Sequence, residues 1–380
     1  MAAGAERKVT VTRGRRGGAA SDLGRREGRR VGETHERILL AASVATVTVL
    51  VAVYALLRTR PDHEWPTSLL AMLPGWLWTI APLVLGVWAA LAHSWALTGL
   101  NGAGLVLSTF LLAGLTVPGT APLVGGTAPL TRIATWNVRY EDAHADAIEA
   151  KLLGFAPEII CLQESHRAAF YDLLPGWHRA AVDDVLEHGI RIFSRYPIAH
   201  AETVGPAAEE LRPSLICTIT TPHGPLTVAG IHLAASHTVA RVRGTRGLRR
   251  MLEEGALARR EQVEALLAAL PDDRPVVVAG DHNFQPVTAL YRTLARRMTD
   301  SFAVGGLGFG YSLLAQDRLP TGRIDYVWCG NGVRPVSCRV GHAWPSDHRP
   351  VVADVLVPVP AAERAKRPSA GDLATAQGAP

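Results

Sequence analysis

The stretch Trp344-Pro345-Ser346-Asp347-His348-Arg349-Pro350-Val351 decides how this chain is read. It sets an Asp beside a His in a turn, immediately before the apolar run 351–356. A turn at the mouth of a buried strand holds polar groups rigidly at a sheet edge, where catalytic residues tend to lie. Alone, an Asp-His pair is an ordinary loop feature. Its weight comes from strand ends upstream that deliver polar residues in the same way. Thr135-Trp136-Asn137 closes one run, and Cys161-Leu162-Gln163-Glu164 closes a second. Gly230-Ile231-His232 lies in a third, Ala279-Gly280-Asp281-His282-Asn283 ends a fourth, and Arg323-Ile324-Asp325-Tyr326 opens a fifth.

Outward from these marks, short β-like runs alternate with helical stretches from Arg132 onward. Strands are expected at 133–138, 159–163, 190–194, 215–220, 226–233, 276–279, 324–328, 337–341 and 351–357. Pro222-His223-Gly224-Pro225 reads as the turn between two neighbours. Helices are expected at 143–155, 257–270 and 287–297. Many strands with few helices suggest two packed sheets covered by helices.

Upstream the composition changes. Residues 1–37 carry ten Lys/Arg against five Asp/Glu and no apolar periodicity, and are expected to be a disordered basic tail. Three apolar segments follow at about 38–57, 76–95 and 96–117, each long enough to cross a hydrocarbon core of about 30 Å. Trp65, Trp76, Trp78 and Trp95 sit where interfacial aromatics belong. Residues 118–130 are a Pro- and Gly-rich linker, the globular domain is 131–358, and 359–380 is expected to be a disordered tail. The basic N-terminal tail should stay in the cytoplasm. With three spans, or with the second and third segments as a re-entrant pair, the globular domain lies outside a plasma membrane; with only two spans it lies in the cytoplasm.

The net charge of +5 belongs to that tail, because residues 118–380 hold 27 basic and 27 acidic side chains. A basic pI therefore gives no support for nucleic-acid binding by the globular part. The four cysteines form no C-x-x-C. Cys161 and Cys217 read as small core residues, whereas Cys329 and Cys338 flank Gly330-Asn331-Gly332, a hairpin signal that could set them opposite each other as a disulfide.

Taken in order and spacing, the strand-end motifs resemble the endonuclease/exonuclease/phosphatase superfamily, which includes DNase I-like nucleases, sphingomyelinases and inositol-polyphosphate phosphatases. The resemblance covers about 132–356, with Ser194-Arg195-Tyr196-Pro197-Ile198 and Pro157-Glu158-Ile159 as supporting marks. It implies an α/β fold, a four-layer α/β/β/α sandwich, preceded here by three transmembrane helices. It implies phosphoester hydrolysis assisted by Mg²⁺, or Mn²⁺, since carboxylates suit a hard cation that neutralises phosphate oxygens. Glu164 is then the metal ligand, with Asn137 and Asp347 beside it. Asp281 orients and activates the attacking water, and Asn283 donates to the phosphate. His232 donates to a phosphate oxygen or the leaving group. His348 acts as base or transition-state stabiliser, oriented by Asp325.

Departures narrow the expectation. His282 stands where the family has an apolar or aromatic residue, and is expected to point away from substrate. Asn137-Val138-Arg139 lacks the acid that abasic-site endonucleases carry two residues after Asn, and His232 replaces their Tyr. Both move the chain toward phosphodiesterase and lipid-acting branches. Arg139 could contact a phosphate. So could Arg241 and Arg243, in an Arg-rich loop expected over 234–256, as a clamp for a polyanionic head group or anionic lipid.

The expected function is a membrane-anchored phosphoesterase acting on a lipid-linked or small phosphorylated substrate. The alternatives are an anchored extracellular nuclease and a non-catalytic binding protein. The architecture is also similar to actinomycete membrane proteins linked to glycopeptide (teicoplanin) resistance, which implies an envelope substrate and antibiotic resistance.

Overall fold

The computed structural model describes residues 17–119, 130–182, 189–205, 211–235 and 245–358. Most of the expected linker, the whole C-terminal tail and the first sixteen residues lie outside the described residues. The chain forms two compact units, one of residues up to Leu50 with Ile80–Leu105, the other of Val51–Thr79 with everything from Val106 onward.

Four helices lead the chain: α1 (Gly17–Thr59), α2 (Trp65–Met72), α3 (Leu77–Leu91) and α4 (Trp95–Leu107), the last running into a π-helical stretch Ser108–Leu112. The expected disordered tail is corrected over residues 17–37, which continue α1 as helix. Ala, Arg and Glu there are good helix formers on an already nucleated helix. In the first unit, Leu39, Ala89 and Leu97 form the buried centre. Asn101 Nδ2 donates to Ser43 Oγ at 2.8 Å, a polar tie between apolar helices. Two helical stretches, Gly32–Thr59 and Trp95–Leu112, are long and apolar enough to cross a membrane. The expected span 76–95 is instead the shorter α3, bent by 68° from α2, so three spans are reached only if that bent pair counts as one.

The second unit is built on two six-stranded sheets. The elements are β1 (Leu130–Asn137), α5 (Ala145–Gly154), β2 (Ile159–Gln163), β3 (His178–Val182), β4 (Ile190–Ser194), β5 (Ile198–Val204), β6 (Ser214–Thr221) and β7 (Gly224–His232). After these come α6 (Thr245–Ala269), β8 (Val276–Asp281), α7 (Ala289–Ala295), β9 (Thr299–Asp300), α8 (Ser301–Gly305), β10 (Leu313–Ala315), β11 (Leu319–Gly322), β12 (Asp325–Gly330), β13 (Arg334–Val340) and β14 (Val351–Leu356). One sheet runs β13-β14-β1-β2-β4-β3, the other β5-β6-β7-β8-β12-β9, and β10-β11 form a separate hairpin.

Residues such as Ile133, Ile159, Ile192, Val228, Val277 and Ala353 from both sheets fill one shared apolar core. The outer face of the first sheet packs Trp136 and Ile160 against Ile148 and Leu152 of α5. The outer face of the second packs Ile231 and Val278 against Val263 and Leu266 of α6 and Leu294 of α7. Strands buried on both faces read as unbroken apolar runs, as Ile159-Ile160-Cys161-Leu162 does.

Two expectations are corrected here. Cys329 lies on β12 and Cys338 on β13, strands of different sheets, so Gly330-Asn331-Gly332 is a crossover between sheets and not a hairpin turn. Both thiols are free and buried, and Ser301 Oγ lies 3.4 Å from Cys329 Sγ. The expected Arg-rich loop is helical from Thr245, with Arg249 and Arg250 paired to Glu253 and Glu254 one turn on. Those two arginines therefore lie on a solvated helix face. Arg241 and Arg243 lie outside the described residues.

The segment after α1 docks onto the sandwich within this unit. The Asp62 carboxylate accepts from the Ala289 and Leu290 amides at 2.6 Å each, satisfying the open N-terminus of α7. Gln285 Nε2 donates to Ala71 O at 2.7 Å, and Trp76 Nε1 donates to Pro320 O at 2.9 Å. The Tyr311 hydroxyl donates to Ala113 O at 3.0 Å. At Gly75 any Cβ would lie 2.6 Å from Ala113 Cα and Leu112 O, so the chain entering α3 touches the chain leaving the π-helical stretch.

Candidate active site

Strand direction gathers the polar ends at one edge. β1 and β2 are parallel, as are β7 and β8, so Asn137, Glu164, His232 and Asp281 all emerge at C-terminal strand ends. β12 and β14 run antiparallel to β8 and β1, so their N-terminal ends reach the same edge. Asp325 stands directly opposite Asp281, and His232 is its partner on the other side.

Gly280 permits this closeness. Its φ is +153°, and a Cβ there would fall 2.0 Å from Ile231 O. Glu164 and Asn283 have φ of +54° and +52°, left-handed backbone that is sparsely populated by such residues and is concentrated at functional sites.

The innermost groups are His348, Asp325 and Asp281, all buried. His348 Nδ1 meets Asp325 Oδ2 at 2.9 Å, which leaves Nε2 facing Asp281 Oδ2 at 3.8 Å. The backbone fixes this line. Ser312 Oγ accepts from the amides of Ile324 and Asp325 at 3.1 and 3.0 Å. Ser346 Oγ accepts from the His348 amide at 3.0 Å and donates to Asn137 O at 2.8 Å, and Trp136 Nε1 donates to His348 O at 2.9 Å. Burial raises the Asp281 carboxyl to about 7, and the neighbouring Asp325 carboxylate adds to it. Burial opposes the charge of His348, but the carboxylates of Asp325 and Asp281 outweigh it and hold the imidazole up at about 10.

Asn137 joins this interior to the rim. Its Nδ2 donates to Asp281 Oδ2 and to Glu164 Oε1, each at 3.1 Å, while its Oδ1 accepts from the Arg139 amide at 3.0 Å. Asp281 Oδ1 accepts from the Asn283 amide at 2.9 Å, and Asn283 Nδ2 donates to Leu233 O at 3.0 Å. His232 Nε2 lies 3.5 Å from Asp281 Oδ2 and 3.7 Å from Glu164 Oε1. Arg139 reaches across to Asp347 at 3.5 Å and also pairs with Asp317. Burial raises the Glu164 carboxyl, against the lowering effect of the Asn137 hydrogen bond.

All the expected residues that fall within the described chain thus meet at one edge. His282 does not join them. It is fully buried, its ring 4.9 Å from Tyr326 and 5.4 Å from Phe284, and it turns away from Asp281 as expected. Sequence reading missed Arg212, whose Nη1 donates to His232 Nε2 and, at 3.2 Å, to Leu233 O. Leu211-Arg212-Pro213 has no strand pattern or motif to announce it. It also missed Ser312 and Asp317, which belong to the hairpin region of β10 and β11.

Among the described residues, two places could hold a divalent cation. Asp281, Asp325 and His348 offer ligand atoms within 4.8 Å of one another. That set is buried, and Asp325 Oδ2 and Asp281 Oδ1 already accept protein hydrogen bonds, as a proton-handling pair would. Glu164 and Asp347 are oxygen donors whose side chains are 17% and 28% exposed, nearer solvent. A cation such as Mg²⁺ keeps several waters and takes one or two carboxylates, which the rim fits better.

The match to the endonuclease/exonuclease/phosphatase family model spans residues 134–348, more than half of the chain. The chain belongs to that family. Members are hydrolases of phosphodiester or phosphate ester bonds and generally use divalent metals, so this chain is a phosphoesterase- or nuclease-type hydrolase. Similar solved structures include an endonuclease/exonuclease/phosphatase from Beutenbergia cavernae, at 22% identity and TM-score 0.46, covering 61% of this chain and 73% of that one. The human Nocturnin catalytic domain with bound sulfate is 18% identical at TM-score 0.46, covering 60% of this chain and 93% of that one. The 3′ phosphatase NExo from Neisseria, bound to a product DNA hairpin, is 20% identical at TM-score 0.46, covering 59% and 98%. No protein of curated function matches the chain.

Proposed function

We propose that this chain is a membrane-anchored, divalent-metal-dependent phosphoesterase acting on a lipid-linked phosphate or pyrophosphate at the outer face of the plasma membrane. The observation that carries the chemistry is the Asp325–His348–Asp281 line, tied through Asn137 to Glu164. Asp281 accepts the proton of the attacking water as the new P–O bond forms and the bond to the leaving oxygen breaks. His348, oriented by Asp325, and Asn283 stabilise charge on the phosphoryl oxygens, and the leaving oxygen takes its proton from solvent or a neighbouring donor. Arg212, whose Nη1 donates to His232 Nε2, supplies positive charge at the same place. Glu164 and Asp347 would hold the cation, preferably Mg²⁺, which supplies charge neutralisation of phosphate oxygens.

What supports the anchoring and the side is connectivity. The apolar helix Gly32–Thr59 precedes the docked segment 61–74, and the basic N-terminal residues should remain inside. Asp62, Ala71 and Trp76 bond to the catalytic sandwich, so that sandwich shares their side of the bilayer. The contact of Gly75 with Ala113 brings the entry of α3 and the exit after α4 to one point. A pair that crosses twice or not at all supports a catalytic side opposite the N-terminal tail.

The test is phosphate release by the full chain in detergent micelles, from a polyprenyl pyrophosphate and, in parallel, cleavage of double-stranded DNA. EDTA and His348→Ala serve as controls. Metal-dependent turnover of the lipid with little DNA cleavage is the expected result. Efficient DNA cleavage without lipid turnover would replace this reading by that of an anchored nuclease.

A further inference from the structure

A cleft with a cavity of about 100 Å³ lies between the docked segment and the loops that carry the active-site residues. Ala71 and Met72 of α2 form one wall, and Phe284, Leu290, Leu313 and Ile324 form the other. Asn283 lies at its catalytic side. Three cleft residues neighbour the reactive groups directly. Asn283 follows Asp281 by two residues and binds its carboxylate through the backbone amide. Ile324 precedes Asp325, and its carbonyl accepts from the His282 amide at 2.8 Å. Leu313 forms a bridge with His348.

The polar groups of the lining are turned into the walls. Asp62 is held by the two α7 amides, and Gln285 donates to the α2 backbone. Arg259, 7% exposed, donates to Ala234 O at 3.0 Å. With those groups engaged, the surface left to the cleft is mainly carbon. A soluble phosphate ester has no use for such a surface.

The cleft is also close to the bilayer end of the chain. Asp62 is three residues beyond Thr59, the last residue of α1. Three extended residues reach at most about 11 Å. A ligand whose phosphate sits at Asn283 and whose tail leads toward a membrane has this cleft along its path.

We infer that the cleft between α2 and the loops around Phe284 and Ile324 binds the first isoprenoid or acyl units of a lipid phosphate or pyrophosphate, next to the phosphoryl group. This rests on the function proposed above. The inter-span segment then selects substrates as well as anchoring the enzyme.

The test compares kcat/KM for a three-isoprene and a one-isoprene pyrophosphate, both presented to the full chain in detergent solution, so that bilayer partitioning plays no part. Wild type should favour the longer chain by about tenfold or more, since each buried methylene contributes roughly 0.8 kcal/mol. Ala71→Trp, which fills the cleft, should lower the long-to-short ratio about tenfold. Met72→Glu, which puts a charge on the same wall, should lower it similarly. The ratio does not depend on how much of a variant is folded, and Met72→Glu decides if Ala71→Trp is inactive. No chain-length preference in wild type would overturn the lipid reading and this inference with it. A preference that survives both substitutions would overturn this inference alone.

Discussion

The interior of the site and its rim are built differently. Asp281, Asp325 and His232 are buried at strand ends whose register fixes them, as Asp325 opposite Asp281 shows, and His348 is buried in the turn before β14, bridged to Leu313. Glu164, Arg139 and Asp347 lie on loop or turn backbone, partly exposed, and two of them adopt positive φ. The interior has its hydrogen bonds assigned by the fold, whereas the rim carboxylates lie beside cationic or amide partners that a cation can displace. In the proposed mechanism the groups that move protons are the buried ones, and those that would meet the ion lie on backbone outside the strands.

The comparison breaks first at the interior. Asp281→Ala should lower kcat by about 10³-fold, the middle of the range for a positioned acid or base, with the circular dichroism spectrum and melting temperature little changed. Activity within tenfold of wild type would remove Asp281 from the mechanism.

Burial alone is tested at His282. Its imidazole is held down at about 4, below its ordinary value of 6.5, by burial among Tyr326, Phe284 and Trp328. The unfolded chain therefore binds a proton between those values that the folded chain does not. Stability should be complete above about pH 6.5 and fall by roughly 3 kcal/mol as pH drops toward 4. Denaturant melts of His282→Phe should show a flatter acid limb over that window. An unchanged limb would mean that other groups set it.

Ser312→Ala leaves the buried amides of Ile324 and Asp325 without their acceptor. It should cost about 2 kcal/mol of stability by denaturant titration and lower kcat by less than Asp281→Ala does. The smallest effect belongs to the rim. Glu164→Gln should raise the half-saturating Mg²⁺ concentration about tenfold, roughly 1.4 kcal/mol, and excess metal should restore much of the rate. If metal cannot restore it, Glu164 belongs with the fixed interior.

The same division governs what could be read in the sequence. The expected strands 159–163 and 190–194 coincide with β2 and β4, because both are buried on both faces and bracketed by breaks. The strands that escaped are at sheet edges. His178–Val182 and Ile198–Val204 are largely exposed and carry no alternating pattern. Site residues at strand ends announced themselves by sharing one pattern. Arg212 and Ser312 did not, since neither closes a strand-length apolar run as the other site residues do, and each is brought to the site only by folding. Asp62 was equally silent, as its partners Ala289 and Leu290 lie 227 and 228 residues away.

That last contact separates two meanings of a domain. The family match begins at Ala134, but the unit that folds together begins at Val51. A fragment cut at the linker would strip α7 of its N-terminal acceptor, bare the α6 surface under α2, and leave Gln285 without Ala71. Expression of this hydrolase as a free catalytic fragment should therefore yield an unstable, sticky protein. The docked residues 61–76 should be needed to keep it folded, and evolution could exchange the enzyme between proteins only together with that segment.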